Sequence, residues 1–423
     1  MKDQILTENT KDINHSNALD YTSNLLSNKN IQIENILSKL EDFQVAIPSW
    51  ALGAGGTRFG RFGYGGEPAT LEDKIDDVGV LHALTGSAGS ISLHIPWDIP
   101  SDPKAIKERA SAHGLLFDAV NSNTFQDQQG QSKSYKYGSL CNEDASIREQ
   151  AIVHNHEVVN IGKQLGSKSI TVWLADGSTF PGQASFRRTL DHTANGLKEI
   201  YGQMPADWKM YIEYKPYEPN FYHTVIQDWG TSFMLATETG ERAYTLVDLG
   251  HHLPNTNIEN IVSTLIYKGK LGGFHFNDSK YGDDDLTVGS IKPYQLFLIF
   301  NELVTGMAEN IGNNPPLAWM IDASHNVKDP LEDLLQSLDA ILISYAQALL
   351  IDQVKLKEAQ LAHDVVACQE ILHEAYRTDV RSLVAEARKR SGAAIDPIST
   401  YRILKVRDKL IQKRGKNSQA TGL

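Results

Sequence analysis

Apolar residues along this chain follow two alternating rhythms. Short runs rich in β-branched and aromatic residues recur eight times: "FQVAIPSW" (43–50), "SISLHIPW" (90–97), "LLFDAVN" (115–121), "SITVWLA" (169–175), "KMYIEYKP" (209–216), "AYTLVDLG" (243–250), "LGGFHFND" (271–278) and "LAWMIDAS" (317–324). Between them lie longer stretches such as "ASIREQAIVHNHEVVNIGKQL" (145–165), where apolar residues return every three or four positions. The first rhythm predicts buried strands and the second predicts amphipathic helices. Eight strands alternating with helices over about 280 residues predict an α/β fold, the (β/α)8 TIM barrel. An open doubly wound sheet would alternate in the same way, but it usually carries a phosphate-binding turn. "GAGGTRFG" (53–60) breaks that pattern, because Arg58 stands where the third glycine belongs.

The pattern also divides the chain. Residues 1–42 read as a helical preamble with weak periodicity around "IENILSKLEDF", residues 43–330 as the barrel, and residues 331–423 as a helical extension without strands. Amphipathic helices beyond a complete barrel suit subunit contacts, or simply cover the barrel. The polar tail "KRGKNSQATGL" reads as mobile. The N-terminus has no basic start followed by an apolar run, and the longest apolar stretches fall short of a bilayer span, so the expectation is a cytoplasmic protein without a membrane partner.

Charge narrows the partners. The 423 residues carry 52 acidic and 40 basic side chains, a net charge of −12, which opposes nucleic-acid binding and suits a protein that holds cations. Cys141 and Cys368 are too few and too far apart for a disulfide framework or a thiolate site.

In a barrel the C-terminal strand ends converge on one site. Read in order, those ends carry Trp50, then His94 and Trp97, Trp173, Glu213 with Lys215, Asp248, His275 and Asp322. Singly, each acid could cap a helix or form an ion pair. Together, three carboxylates and an imidazole on four neighbouring strands suit one divalent cation: carboxylates favour Mg2+ and Mn2+, and the imidazole shifts preference towards Mn2+, Co2+ or Zn2+. In "GGFHFNDSKYGDDD" (272–285), Phe274 and Phe276 should face away from His275. Asp283 and Asp285 can turn towards a second ion with Asp248 as a bridge and either His251 or His252, although such an acidic run is commonly a solvated turn. Lys215, two residues after Glu213, should face the same interior, either neutralising excess carboxylate or stabilising charge on a substrate oxygen. Trp50 and Trp173, with Trp97, would give apolar walls for sugar C–H faces, or plain core packing. His154 and His156, two apart on a helix, read as surface or packing residues.

These residues resemble a known family. "IEYKPYEPN" (212–220) is similar to the I-E-P-K-P-x-E-P segment of xylose isomerases, with Tyr214 in place of the first proline. Asp248-x-x-His251 resembles their E-x-x-H and Asp283-x-Asp285 their D-x-D, while His275 stands where they have aspartate. With "HIPWD" (94–98) and "AYRTDVRSLVAEAR…DPISTYR", the combination resembles the bacterial L-rhamnose isomerases of broad aldose specificity over roughly residues 43–405. The resemblance implies a homotetrameric aldose–ketose isomerase using two divalent metal ions, Mn2+ first among them, on L-rhamnose and on aldoses such as L-mannose and D-allose. It assigns Glu213, Asp248, His275 and Asp322 to a structural ion, and His251, Asp283 and Asp285 to a catalytic one. Lys215 would stabilise an oxyanion, and His94, oriented by Asp98, would assist ring opening or bind far hydroxyls. The loop 53–68 would reach a neighbouring active site through Phe59, or alternatively Phe62. The competing readings are a sugar epimerase or an endonuclease on the same barrel, and a non-catalytic sugar-binding relative.

Overall fold

Strands that are apolar on both faces must be covered on both, which in a parallel sheet means helices outside and packed side chains within. The computed structural model describes residues 1–55, 60–218, 222–325 and 327–420. All eight predicted runs form strands: β1 (Ala46–Pro48), β2 (Ser90–Ile95), β3 (Leu116–Ser122), β4 (Ser169–Val172), β5 (Lys209–Glu213), then, after the hairpin β6 (Tyr217–Glu218) and β7 (Tyr222–His223), β8 (Ala243–Asp248), β9 (Leu271–Phe276) and β10 (Ala318–Ile321). They close in the order β1-β10-β9-β8-β5-β4-β3-β2, and every barrel pairing is parallel. The chain is a (β/α)8 barrel.

The strands are shorter than the apolar runs, so several site residues lie just beyond them. Trp50 sits in a single 3-10 turn after β1, and Trp97, Trp173, Lys215 and Asp322 follow the last paired residues of their strands. The lower barrel is filled. Ala119, Tyr211 and Leu246 pack together there, and Gly272 makes room for them, since a Cβ at that position would lie 2.6 Å from the Tyr211 ring. Above this plug a cavity lined by the C-terminal strand ends opens.

Alternation along β9 works as expected. Phe274 and Phe276 face outward and stack on each other with ring centroids 5.4 Å apart. Trp319 and Phe300 extend the stack at 5.8 and 5.7 Å. This aromatic layer fixes the outer side of the strand whose inner side presents His275.

The helix Pro330–Leu349 packs against Pro293–Glu309 and Leu71–Thr85, so the outer ring of helices runs on to Leu349. The N-terminal helices His15–Ser27 and Ile33–Asp42 pack on Arg381–Arg390. His15 Nε2 lies 2.8 Å from Glu386 Oε2 there, and Arg390 Nη1 lies 2.6 Å from Glu34. The tail departs from expectation. Residues up to Ala420 lie against the glycine-rich loop, where Ala420 N donates to Glu67 Oε2 at 3.1 Å and Ser418 Oγ to the Glu67 carbonyl at 2.6 Å. Its polar composition concealed these backbone partners. Among the described residues, no single helix is long and apolar enough to cross a membrane.

Phe276→Ala should cost about 3–5 kcal/mol of unfolding free energy by urea denaturation, because it opens a cavity in the stack. A change near zero would mean that the aromatic layer does not hold β9.

Candidate metal centre

Four strand ends meet above the plugged floor. Glu213 closes β5, Asp248 closes β8 opposite His275 of β9 in register, and Asp322 follows β10. One ligand atom from each gathers within 4.8 Å of all the others. His275 Nδ1 lies 3.1 Å from Glu213 Oε1, 3.6 Å from Asp322 Oδ2 and 3.9 Å from Asp248 Oδ2.

The oxygens are sorted by their neighbours. Asp248 Oδ1 accepts from Gly250 N at 2.7 Å and from Asn277 Nδ2 at 2.9 Å. Its Oδ2 is buried without a hydrogen-bond partner. Asn277 Nδ2 also donates to the Asp322 carbonyl at 2.9 Å, and Trp50 Nε1 donates to Asp322 Oδ1 at 2.9 Å. Thus Trp50, expected as an apolar wall, also orients a carboxylate. An unpaired buried carboxylate oxygen is costly unless something positive meets it. Three carboxylates and one imidazole, so oriented, fit a divalent cation.

The electrostatics agree. Burial pushes Asp248 up to about 6. Burial also works against the Glu213 carboxylate, but the His275 and His251 imidazoles outweigh it and hold that group at about 2. For His275, burial favours the neutral ring, yet Glu213, Asp322 and Asp248 raise it to about 9. At neutral pH a proton on His275 therefore offsets part of the negative charge, and an incoming cation must displace it.

The second group is built on loops. His251 lines the cavity: its Nδ1 lies 3.0 Å from the Tyr214 carbonyl, which can only accept, so Nδ1 carries a hydrogen. Its Nε2 lies 3.0 Å from Asp283 Oδ1. His252 turns the other way, with Nε2 2.6 Å from the Tyr214 hydroxyl, and burial lowers its pKa to about 3. Tyr214, the departure from the xylose isomerase segment, thus separates the two histidines. Glu213 approaches both imidazoles, with Oε1 3.3 Å from His251 Nδ1, while Asp248, the expected bridge between the groups, gives its Oδ1 to Gly250 and Asn277.

Asp283 and Asp285 both line the cavity. Both have left-handed backbones, with φ of 58° and 49°. Asp284, between them, accepts from Lys280 N, Tyr281 N and Gly282 N at 2.8–3.0 Å and so builds the turn. Lys215 pairs with Asp283 Oδ2 at 2.7 Å and Glu218 Oε2 at 2.8 Å. Its Nζ lies 5.2 Å from the Trp173 ring centroid.

Aromatic residues wall the cavity. His94 packs against Trp97, Trp50 and Phe125 with centroids 4.4, 5.2 and 5.5 Å away, and Trp173 continues the wall beyond Phe125 at 4.7 Å. Burial holds His94 neutral, at about 3. Asp98 was expected to orient the His94 ring, but it does not reach it. It accepts from His94 backbone N at 2.8 Å, from Lys74 Nζ at 2.6 Å and from Ser49 Oγ, because the turn after β2 brings it back to the main chain. Phe59 lies outside the described residues, and Phe62 is 69% exposed. Sequence reasoning missed Asn277 and Phe125. Period-two alternation from His275 points to Asn277; Phe125 lies three residues beyond its strand, where no periodicity marks it.

No family model matches the chain. Over 397 residues it is 52% identical to the "Probable sugar isomerase" of Mesorhizobium japonicum, covering 93% of this chain and 92% of that protein. It is 50% identical to the "Probable sugar isomerase" of Rhizobium meliloti, with the same coverage. A xylose isomerase of Thermus thermophilus is 23% identical over 239 residues, 52% of this chain and 60% of that protein. Among solved structures, an L-ribulose 3-epimerase has a TM-score of 0.51 at 14% identity, over 76% of this chain and 98% of that one, a likeness of fold.

Asn277→Ala should weaken Mn2+ binding to metal-depleted protein about 10- to 100-fold, read by titration calorimetry, because Asp248 loses its orienting donor. With Asp248 near 6 and His275 near 9, the wild-type association constant should rise about tenfold per pH unit between those values, with one proton released. A flat profile would mean that His275 is not a ligand.

Proposed function

The chain belongs to the sugar isomerase family, and from that premise we propose that it is a metal-dependent aldose–ketose isomerase that interconverts L-rhamnose and L-rhamnulose and also accepts L-mannose and D-allose. The observation that carries this reading is the quartet of buried Glu213, Asp248 and His275 with half-buried Asp322, beside an aromatic-walled cavity. Glu213, Asp248, His275 and Asp322 would hold one divalent ion, Mn2+ first among the candidates, and His251, Asp283 and Asp285 a second. When bound, such ions act as Lewis acids towards sugar oxygens.

The chain's own groups account for binding and orientation. Isomerisation of the open-chain sugar moves one hydrogen between C1 and C2 and one proton between O2 and O1, so nothing enters or leaves overall. Trp50, Trp97, Phe125 and Trp173 supply flat faces for sugar C–H bonds and exclude water from the reacting carbons. His94, neutral and with a buried Nδ1 lacking a hydrogen-bond partner, can accept from a sugar hydroxyl and assist ring opening. Lys215 brings a buried positive charge to the wall beside Trp173 and stabilises negative charge developing on a substrate oxygen. The rigid strand ends supply a further part of the acceleration by fixing geometry. The same reading makes the protein a cytoplasmic homotetramer, with the loop 53–68 near a neighbouring active site.

An epimerase on this fold would invert a ketose carbon and leave the carbonyl in place, so product identity separates the readings. The protein, depleted of metal and then restored with Mn2+, is incubated with L-rhamnose, L-mannose, D-allose and D-xylose, and the products are resolved by chromatography. Metal-dependent L-rhamnulose is the expected result. No ketose from any of these four aldoses with Mn2+ present would overturn the isomerase reading, and an epimerised sugar formed from L-rhamnulose in a parallel incubation would favour the epimerase.

A further inference from the structure

Asp333 lies in the first turn of the helix Pro330–Leu349, outside the cavity, and is 2% exposed. A buried carboxylate needs partners, and its partners come from the loops that carry the site. Its Oδ2 lies 2.6 Å from His325 Nδ1. Its Oδ1 accepts from Thr287 Oγ1 and from Lys328 Nζ at 3.2 Å, and Lys328 also donates to Thr287 Oγ1.

Each partner leads to the loop that bears Asp283 and Asp285. Thr287 is two residues beyond Asp285 on that loop. Ser324, next to His325, donates its Oγ to Asp285 Oδ2 at 3.1 Å and its N–H to the Asp285 carbonyl at 3.0 Å. His325 also pairs with Gly55 through an antiparallel bridge at the start of the glycine-rich loop. Asp285 itself holds a left-handed backbone, which non-glycine residues adopt sparingly and aspartate more readily than most. Asp333 thus grips Asp285 from two sides, through Thr287 along the chain and through His325–Ser324 across it.

We propose that Asp333 is a positioning residue for Asp285, and that the Thr287–Asp333–His325 link sets the affinity of the second cation without touching it. The proposal rests on the two-ion reading above. The two sets are separable, because the quartet around His275 is oriented by Asn277, Gly250 and Trp50, none of which contacts Asp333.

The test is a Mn2+ titration of metal-depleted full-length protein, with free Mn2+ read by electron paramagnetic resonance, for the wild type, Asp333→Asn and Thr287→Val. Asp333→Asn leaves one acceptor oxygen where Thr287 and His325 use two, and Thr287→Val cuts only the loop side while keeping the His325–Asp333 pair. The expected result is two ions per wild-type chain, with the weaker one loosened about tenfold in both variants and the tighter one unchanged. If Asp333→Asn does not fold, Thr287→Val decides alone. Equal loosening of both ions, or no loosening of either, would overturn the proposal while leaving the two-ion reading intact. A wild type that binds a single ion would overturn that reading and the proposal together.

Discussion

Glu213, Asp248 and Asp322 hold three carboxylates against one imidazole, with all but Asp322 buried. Charge of that kind cannot stand alone in a protein interior, where desolvation of an isolated carboxylate costs several kcal/mol. It is offset from within by the proton on His275, or from outside by a cation that takes that proton's place. The rest of the architecture serves this one constraint. The plugged floor of Tyr211, Ala119 and Leu246 keeps water from below, the tryptophans and Phe125 limit it from above, and the stack behind Phe274 and Phe276 keeps β9 from yielding to the strain.

Orientation follows the same logic one atom further out. Each of Asp248 and Asp322 gives one oxygen to a neutral donor, Asn277 or Trp50, and turns the other towards His275. The donors decide which oxygen is available, and so decide where a cation would sit. The second group lacks this economy. Its residues stand on loops, in left-handed backbone at Asp283 and Asp285, and its histidine is aimed by a carbonyl on β5's extension. The first set is therefore built into strands, and the second is assembled by contacts between loops.

That difference explains what could be read in advance. The eight strands were legible because parallel strands buried on both faces are continuous apolar runs bounded by helices. Glu213, Asp248, His275 and Asp322 were legible because they share one position relative to those runs. His251 could not be told from His252, since the choice depends on where the Tyr214 carbonyl and hydroxyl fall in space. The same blindness affected Asp98, which a turn returns to backbone rather than to an imidazole, and Lys215, whose partners Glu218 and Asp283 lie beyond the strand from which it was predicted. Period and position carry strand-borne residues well; loop-borne ones depend on contacts that no periodicity encodes.

The glycine-rich loop shows the limit most clearly. Its glycines are close-approach residues at two positions, a role that composition does not reveal. Gly66, with φ of 67°, lies so near the last helix that a Cβ would come within 2.6 Å of Ile411 N, and at Gly65 a Cβ would meet the Lys416 carbonyl at 2.8 Å. Glu67, fully buried, accepts from Arg61 at 2.9 Å and from the tail at Ala420. Arg407 joins the Gly65 carbonyl at 3.2 Å and the Asp329 carboxylate, the cap of the same helix that carries Asp333. The loop is thus tied at one end to the C-terminal segment, joining residues more than 300 positions apart, and at the other, through Gly55 and His325, to the network beside Asp285.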